Sequence, residues 1–224
     1  MKKELLKTGD GSTTLHLPQW NEQYHSKHGA IQEALHVFIK HGLQYVCNPN
    51  LNKPLSILEI GFGTGLNALL TYISSKEIDN LSIDYTGLEA YPVAMEEIDN
   101  LNFSEQLNMD NKVYTKLHSS AWEQREKISD TFYLTKKNIR FEDFQESEKF
   151  HLIYFDAFGP RVQPELWEKP IFQQMYLALK PNGVLVTYSA KGAVRRTMQE
   201  VGFTVERLPG PPGKREMLRA IKIG

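Results

Sequence analysis

The sequence predicts an α/β fold of the Rossmann-like class, with a mostly parallel, doubly wound sheet that finishes in an antiparallel hairpin. Three observations carry this prediction. Apolar, strand-like runs alternate with helix-like segments from Leu55 onward; the glycine-rich turn "GFGTG" follows the first of these strands; and the chain closes on "TVERLPGPPGKREMLRAIKI", two strand patterns around a proline-rich loop. Alternation favours parallel pairing, because a right-handed crossover returns each strand beside its predecessor with the helix on one face. Two strands joined by a short loop pair antiparallel, which places the ending at a sheet edge.

Ahead of the main core, "TTLHL" reads as a short strand after the "DGS" turn. "HSKHGAIQEALHVFIKHGL" then places Ala30, Ala34, Leu35, Phe38 and Ile39 near helical spacing, with Gly42 as the expected cap. Polar "CNPNLNKP" separates this helix from "LSILEI", a buried strand, and "LNALLTYISSK", a helix. "LSIDYTGLEA" is a second strand, and "YPVAMEEIDNLNF" opens a helix with proline near its first turn. "KVYTKLH" reads equally as strand or helix end, and "TFYLTKKNIRFEDF" supplies a strand and a loop. "FHLIYFDAF" is the most continuously apolar run, as expected of a central parallel strand covered on both faces. "PIFQQMYLALKPNGVLVTYSA" gives helix, Pro-Asn-Gly turn and strand, and "GAVRRTMQEVGF" one more helix.

Composition narrows the class. The 224 residues suffice for one well-developed core, and the single cysteine, Cys47, allows no disulfide framework. No Cys/His ladder suggests a metal site, and no apolar run has the length of a signal peptide core or a membrane span, so a soluble, cytoplasmic protein without metal or membrane is expected. From Lys191 onward eight basic residues face three acidic ones, so this tail carries net +5 and the remainder −6 in a chain of formal charge −1. That asymmetry reads either as a phosphate-facing surface or as an ordinary solvated one.

The glycines at 61, 63 and 65 in "EIGFGTGLN" allow a sharp turn and let a ligand lie against the main chain. The helix beginning near Leu66 points its N–H groups at the same space. Counting from Gly61, the sixth position is Leu66, so the spacing departs from the dinucleotide fingerprint. Glu89, at the end of the next strand, is the candidate for holding a ribose diol, since a carboxylate accepts from both hydroxyls. These residues alone leave NAD, FAD and S-adenosylmethionine open; the spacing and the terminal hairpin favour the methyl donor.

The ordered set "GFGTGLN", "DAFGP" followed by "PELW", "LKPNGVLVTYSAKGAVRRTMQEVGF" and "GKREML", with "DGSTTLHLPQWNEQYHSKHGAIQEALHVFI" ahead of it, resembles a known family across nearly the full chain. It is similar to the methyltransferase domain of the bacterial enzymes that complete 5-methylaminomethyl-2-thiouridine at the tRNA wobble position. The resemblance implies a seven-stranded class I S-adenosyl-L-methionine-dependent methyltransferase that methylates the exocyclic amine of 5-aminomethyl-2-thiouridine. It implies tRNA as partner, and upstream enzymes that form the aminomethyl group. Residues 1–50 are then a segment and helix covering the active site, and 51–224 the methyltransferase domain. Many such domains are fused to an FAD-dependent oxidase that removes a carboxymethyl group; this sequence carries no second glycine fingerprint, so it resembles the stand-alone form. Two departures stand out: Asn138 where many methyl-donor folds carry an acid for the adenine amine, and "GPPGKREM" where the family often has a more basic, aromatic loop.

The expected cofactor contacts are Glu59, Gly61, Gly63, Thr64, Gly65, Asn67, Glu89, Asn138 and Asp156. Amine methylation requires alignment and a neutral amine, so a carboxylate at the end of an apolar strand suits Asp156 as the group that orients the ammonium and receives its proton. Tyr24, ahead of the first helix, is the second catalytic candidate. Gly159 permits a close turn after Asp156, Pro160 stiffens it, and Pro164 leads to Trp167, readable either as an apolar wall for the base or as helix packing. Phe158 is likewise a pocket wall or a core residue. Ser189 and Lys191 border the base in this reading, while Arg195, Arg196, Lys214 and Arg215 reach phosphates, which position an RNA without identifying its base. A small-polyamine N-methyltransferase and a nonenzymatic RNA-binding protein of the same fold are the competing readings.

Overall fold

The computed structural model describes residues 2–47 and 54–224. The boundary expected between residues 50 and 51 lies outside the described residues. Strands β1 (Glu4–Lys7), β2 (Thr13–Leu17) and β3 (Glu22–Gln23) form a small antiparallel sheet. A helix follows in three conformational parts: α1 (Ala30–Ala34), a π-helical stretch (Leu35–Leu43) and α2 (Gln44–Val46).

Gly42 corrects an expectation, because it lies inside this helix rather than capping it. A Cβ there would stand 3.1 Å from the Tyr154 ring and 3.1 Å from Val186. The missing side chain therefore lets the helix backbone approach two sheet strands closely.

The main sheet begins with β4 (Leu55–Ile60), then α3 (Leu66–Ser75) and β5 (Ile83–Leu88). The helix expected to open at Pro92 is two short pieces instead, α4 (Met95–Ile98) and α5 (Phe103–Gln106), and the ambiguous "KVYTKLH" is helical, α6 (Lys112–Ser119). An unexpected strand, β6 (Arg125–Ser129), pairs antiparallel with β7 (Phe132–Lys137). Then come β8 (Phe150–Phe155), a 3₁₀ turn at Pro164–Trp167, α7 (Lys169–Ala178), β9 (Leu179–Thr187), α8 (Gly192–Val201), β10 (Thr204–Pro209) and β11 (Glu216–Ile221). The Pro-Asn-Gly segment is not a turn ahead of β9 but an irregularity within it: β8 pairs Phe150 with Leu179 and then Leu152 with Val184.

The order is β10-β11-β9-β8-β4-β5-β7-β6, eight strands rather than seven, with β6 as the addition. Pairing is parallel from β9 to β7, and β11 runs antiparallel between β9 and β10. The period-two alternation of β8 shows how both faces are covered. Leu152 and Tyr154 join Phe38, Leu69 and Tyr85 on one side, while Ile153 and Phe155 join Phe172, Met175 and Met198 on the other. β4 sends its connections to β5 on one side and lies beside β8 on the other, so the order reverses at the β4–β8 gap, where α/β sheets bind ligands.

Gly42→Leu should destabilise the fold by about 1–3 kcal/mol, the usual cost of forcing extra methylenes into a packed interior. Urea unfolding is the check; an unchanged midpoint would mean that helix and sheet are not held as closely as 3.1 Å implies.

Candidate active site

The C-terminal ends of four parallel strands converge on one cavity of about 1150 Å³. β4 delivers Glu59 and the glycine turn, β5 delivers Glu89, β8 delivers Asp156, and β9 delivers Tyr188. The glycine turn depends on backbone conformations that other residues adopt poorly: Gly61 has φ +89° and Gly63 φ +48°. A Cβ on Gly61 would sit 2.9 Å from the Asp156 carbonyl oxygen, and one on Gly63 3.2 Å from the Tyr24 ring. Gly65, with φ +68°, starts α3 behind this surface and faces His118 rather than the cavity.

Asn67, one residue into α3, holds two acids. Its Nδ2 donates to Glu59 Oε1 at 2.9 Å and to Asp156 Oδ2 at 2.8 Å. Glu59 is only 1% exposed, and its other oxygen accepts from the Tyr85 hydroxyl at 2.9 Å. Burial pushes the Glu59 carboxyl well above its ordinary range, with the Asp156 charge adding to it. Asp156 is raised to about 8, chiefly by burial, against the pull of the Asn67 bond. Two donated bonds fix the amide orientation and leave Asn67 Oδ1 buried without a partner among the described residues.

Glu89 accepts the Gly63 N–H at 2.9 Å on one oxygen and the Tyr91 N–H at 2.9 Å on the other. Each oxygen keeps acceptor capacity for a further donor. Burial raises this carboxyl too, and the backbone donors partly offset the effect.

The roof comes from the amino-terminal segment. His25 Nδ1 lies 2.8 Å from Thr14 Oγ1 and Nε2 3.1 Å from Thr64 Oγ1, joining β2 to the glycine turn. Burial drops this imidazole to about 4, so it is neutral near neutral pH. Tyr24 meets Phe158 edge-on at 5.1 Å and Trp20 meets it at 5.7 Å. Arg161 Nη2 donates to the Trp20 and Asn21 carbonyls and to Glu22, locking the small sheet to the loop after Asp156.

A family model described as S-adenosyl-L-methionine-dependent methyltransferase matches residues 91–223. The chain belongs to this methyltransferase family. Its cofactor is therefore S-adenosyl-L-methionine. The chain is 30% identical over 214 residues to the tRNA 5-methylaminomethyl-2-thiouridine biosynthesis bifunctional protein MnmC of Leptospira interrogans, covering 89% of this chain and 32% of that protein. It is also 30% identical over 213 residues to the protein of the same name from Hydrogenovibrio crunogenus, covering 88% of this chain and 31% of that one. The chain thus spans about a third of the length of the curated relatives it matches. The crystal structure of MnmC2 from Aquifex aeolicus superposes with a TM-score of 0.81 at 24% identity, over 98% of this chain and 69% of that one. A spermidine synthase superposes at 0.58 with 13% identity, over 98% of this chain and 68% of that one. Both structural likenesses speak to fold.

Of the residues singled out in the sequence, Tyr24, Glu59, Gly61, Gly63, Thr64, Asn67, Glu89, Asp156, Phe158 and Lys214 line the cavity. Others lie elsewhere. Asn138 is exposed, its backbone N–H donating to Glu123, and Arg140, Phe141 and Glu142 border that end of the cavity instead. Trp167, 4% exposed, packs on Phe155, Phe172 and Tyr188 while its Nε1 donates to the Phe158 carbonyl at 2.8 Å, so it braces the loop from behind. Ser189 is buried outside the lining, and Lys191, Arg195, Arg196 and Arg215, exposed or half-buried, are not lining residues either. Glu33, Trp20 and Tyr188 are lining residues that pattern reading did not select. Glu33 had a readable signal, a lone acid on the helix face that also carries Ala30 and Ala34.

Among the described residues no group of three or more His, Cys, Asp and Glu side chains is arranged for a metal ion. No described helix is long and apolar enough to cross a membrane.

The raised Asp156 has a stability consequence. Its folded value of about 8 exceeds the unfolded one, so between roughly pH 4 and pH 8 the native state binds more protons and stability falls as pH rises. Asp156→Asn removes this dependence, so its stability relative to the natural chain should rise from pH 5 to pH 9. Urea unfolding at several pH values decides; a difference constant with pH would place Asp156 in an ordinary solvated environment.

Proposed function

We propose that this chain methylates the exocyclic amine of 5-aminomethyl-2-thiouridine at the tRNA wobble position, giving 5-methylaminomethyl-2-thiouridine. The observation that carries the reading is Asp156, a carboxyl with raised proton affinity at the switch point of the sheet, between the glycine turn and the Phe158 wall. The names of the relatives, which place them in the biosynthesis of this tRNA nucleoside, supply the substrate.

The pocket fits the methyl donor on its own chemistry. Glu89 has acceptor capacity for a ribose diol, the Gly61–Gly63 turn lines the cavity beside it, and Asn67, another lining residue, carries a buried Oδ1 without a partner among the described residues. Thr64 steadies the turn through His25, and Arg140 and Phe141 border the adenine end in place of Asn138. S-adenosyl-L-methionine supplies an electrophilic methyl group.

The chain's own task is to present a neutral amine in line with that group. An alkylammonium entering the cavity meets the ionised Asp156, gives up a proton to it and exposes the nitrogen lone pair. A carboxyl raised to about 8 lies much nearer an alkylamine in proton affinity than a solvated one does, so the transfer is close to balanced. Tyr24 is held by the Phe158 edge and borders the same space, and burial, then Glu89 and Glu97, keep its hydroxyl protonated as a donor. Phe158, gripped by Trp20 and Tyr24, offers an apolar wall to a base removed from its stack. Arg195, Arg196, Lys191 and Arg215 lie outside the cavity, where sequence-independent phosphate contacts belong. Upstream enzymes would supply the aminomethyl precursor.

The test is single-turnover methylation of tRNA bearing the unmethylated aminomethyl nucleoside. In the natural chain kcat/KM should rise with pH through about 8 as the free Asp156 ionises. Asp156→Asn should lower the rate by roughly 10²-fold or more and abolish that limb. Equal rates for both proteins at every pH would remove Asp156 from the chemistry, and methylation of free polyamines with no action on tRNA would replace the substrate.

A further inference from the structure

One wall of the cavity is built by the two ends of the described chain meeting each other. Glu33, on the largely apolar face of α1, is 9% exposed, and its Oε2 accepts the Ser26 N–H at 3.1 Å. Its Oε1 accepts from Lys214 Nζ, which arrives on the loop joining β10 to β11. The same ammonium stands 3.9 Å over the Tyr188 ring. The Tyr188 hydroxyl in turn donates at 2.9 Å to the carbonyl of Ala157, the neighbour of Asp156. The loop is held for this purpose: Gly213 has φ +82°, and a Cβ there would overlap the His28 ring. Glu33, Lys214 and Tyr188 all line the cavity.

A half-buried ion pair adds little net stability, since desolvation and screening offset attraction, but its two charges stand fixed in the wall of the cavity that Asp156 also lines. We propose that Glu33 and Lys214 are positioning residues for the amine methylation proposed above: their ion pair ties the amino-terminal helix to the terminal hairpin and sets the field in which Asp156 exchanges its proton. The groups facing Asp156 are Glu59 from β4, Asn67 from α3, Tyr85 from β5, Tyr188 after β9, Glu33 from α1 and Lys214 from the hairpin loop. After burial and the Asn67 bond, Glu33 holds the carboxyl up and Lys214 draws it down. The pair therefore acts on Asp156 as two opposed influences.

The experiment is titration of the Asp156 side-chain carbonyl carbon by NMR in the free protein, its signal assigned by loss in Asp156→Asn. Lys214→Met should move the midpoint up by about one pH unit and Glu33→Gln down by a similar amount, the size expected of a single charge at close range. The double variant should return near the natural midpoint, and Lys214→Arg, which keeps the charge, should stay there. Movement of both single variants in one direction, or of neither, would overturn the proposal. Because the readout needs no substrate, failure of the tRNA reading would appear in the methylation assay and leave this titration untouched.

Discussion

The side-chain amide of Asn67 spans two carboxyls that would otherwise repel at the centre of the sheet, Glu59 from β4 and Asp156 from β8. Both acids are placed by strands buried on both faces, where an unpaired carboxylate is costly. Donation to both from one NH₂ group couples the glycine turn, the first helix after it and the acid loop into one rigid corner. It also fixes which way the amide points and leaves Oδ1 buried without a partner among the described residues. The raised proton affinities of Glu59 and Asp156 follow chiefly from burial, which disfavours the charged form of each.

Around that corner, aromatic packing does what hydrogen bonds do at the centre. Trp167 sits behind the loop and holds the Phe158 carbonyl, Arg161 pins the loop to the tip of the small sheet, and Trp20 and Tyr24 close on the Phe158 ring from two sides. Pro160 confines the backbone in the few residues that must turn between Asp156 and the 3₁₀ segment. The small amino-terminal sheet is therefore part of the cavity, joined to it through His25 as well as through Arg161.

The main sheet was legible because its signals are local and strong. Unbroken apolar runs such as "HLIYF" allow few alternatives, and a glycine turn between strand and helix is visible without tertiary context. β6 was missed because "REKIS" is a polar edge strand whose pairing with β7 is decided across the sheet, not along the sequence. Gly42 reads as a helix end on propensity alone; its meaning comes from Tyr154 and Val186, more than a hundred residues away. In the site, strand-end residues such as Glu89 and Asp156 were readable from position. Trp167 and Asn138 were not, since a residue near a pocket in sequence can turn its side chain away from it. Glu33 and Lys214 form a contact across 181 positions, which no motif spacing encodes.

The proposed reading turns on one statement, that Asp156 would ready the amine of a wobble uridine for methylation. Mass spectrometry of wobble nucleosides from a strain lacking this chain tests substrate and reaction together. The account predicts accumulation of 5-aminomethyl-2-thiouridine with loss of its methylated product, restored by the natural sequence and not by Asp156→Asn. An unchanged nucleoside profile in the deletion strain would contradict it.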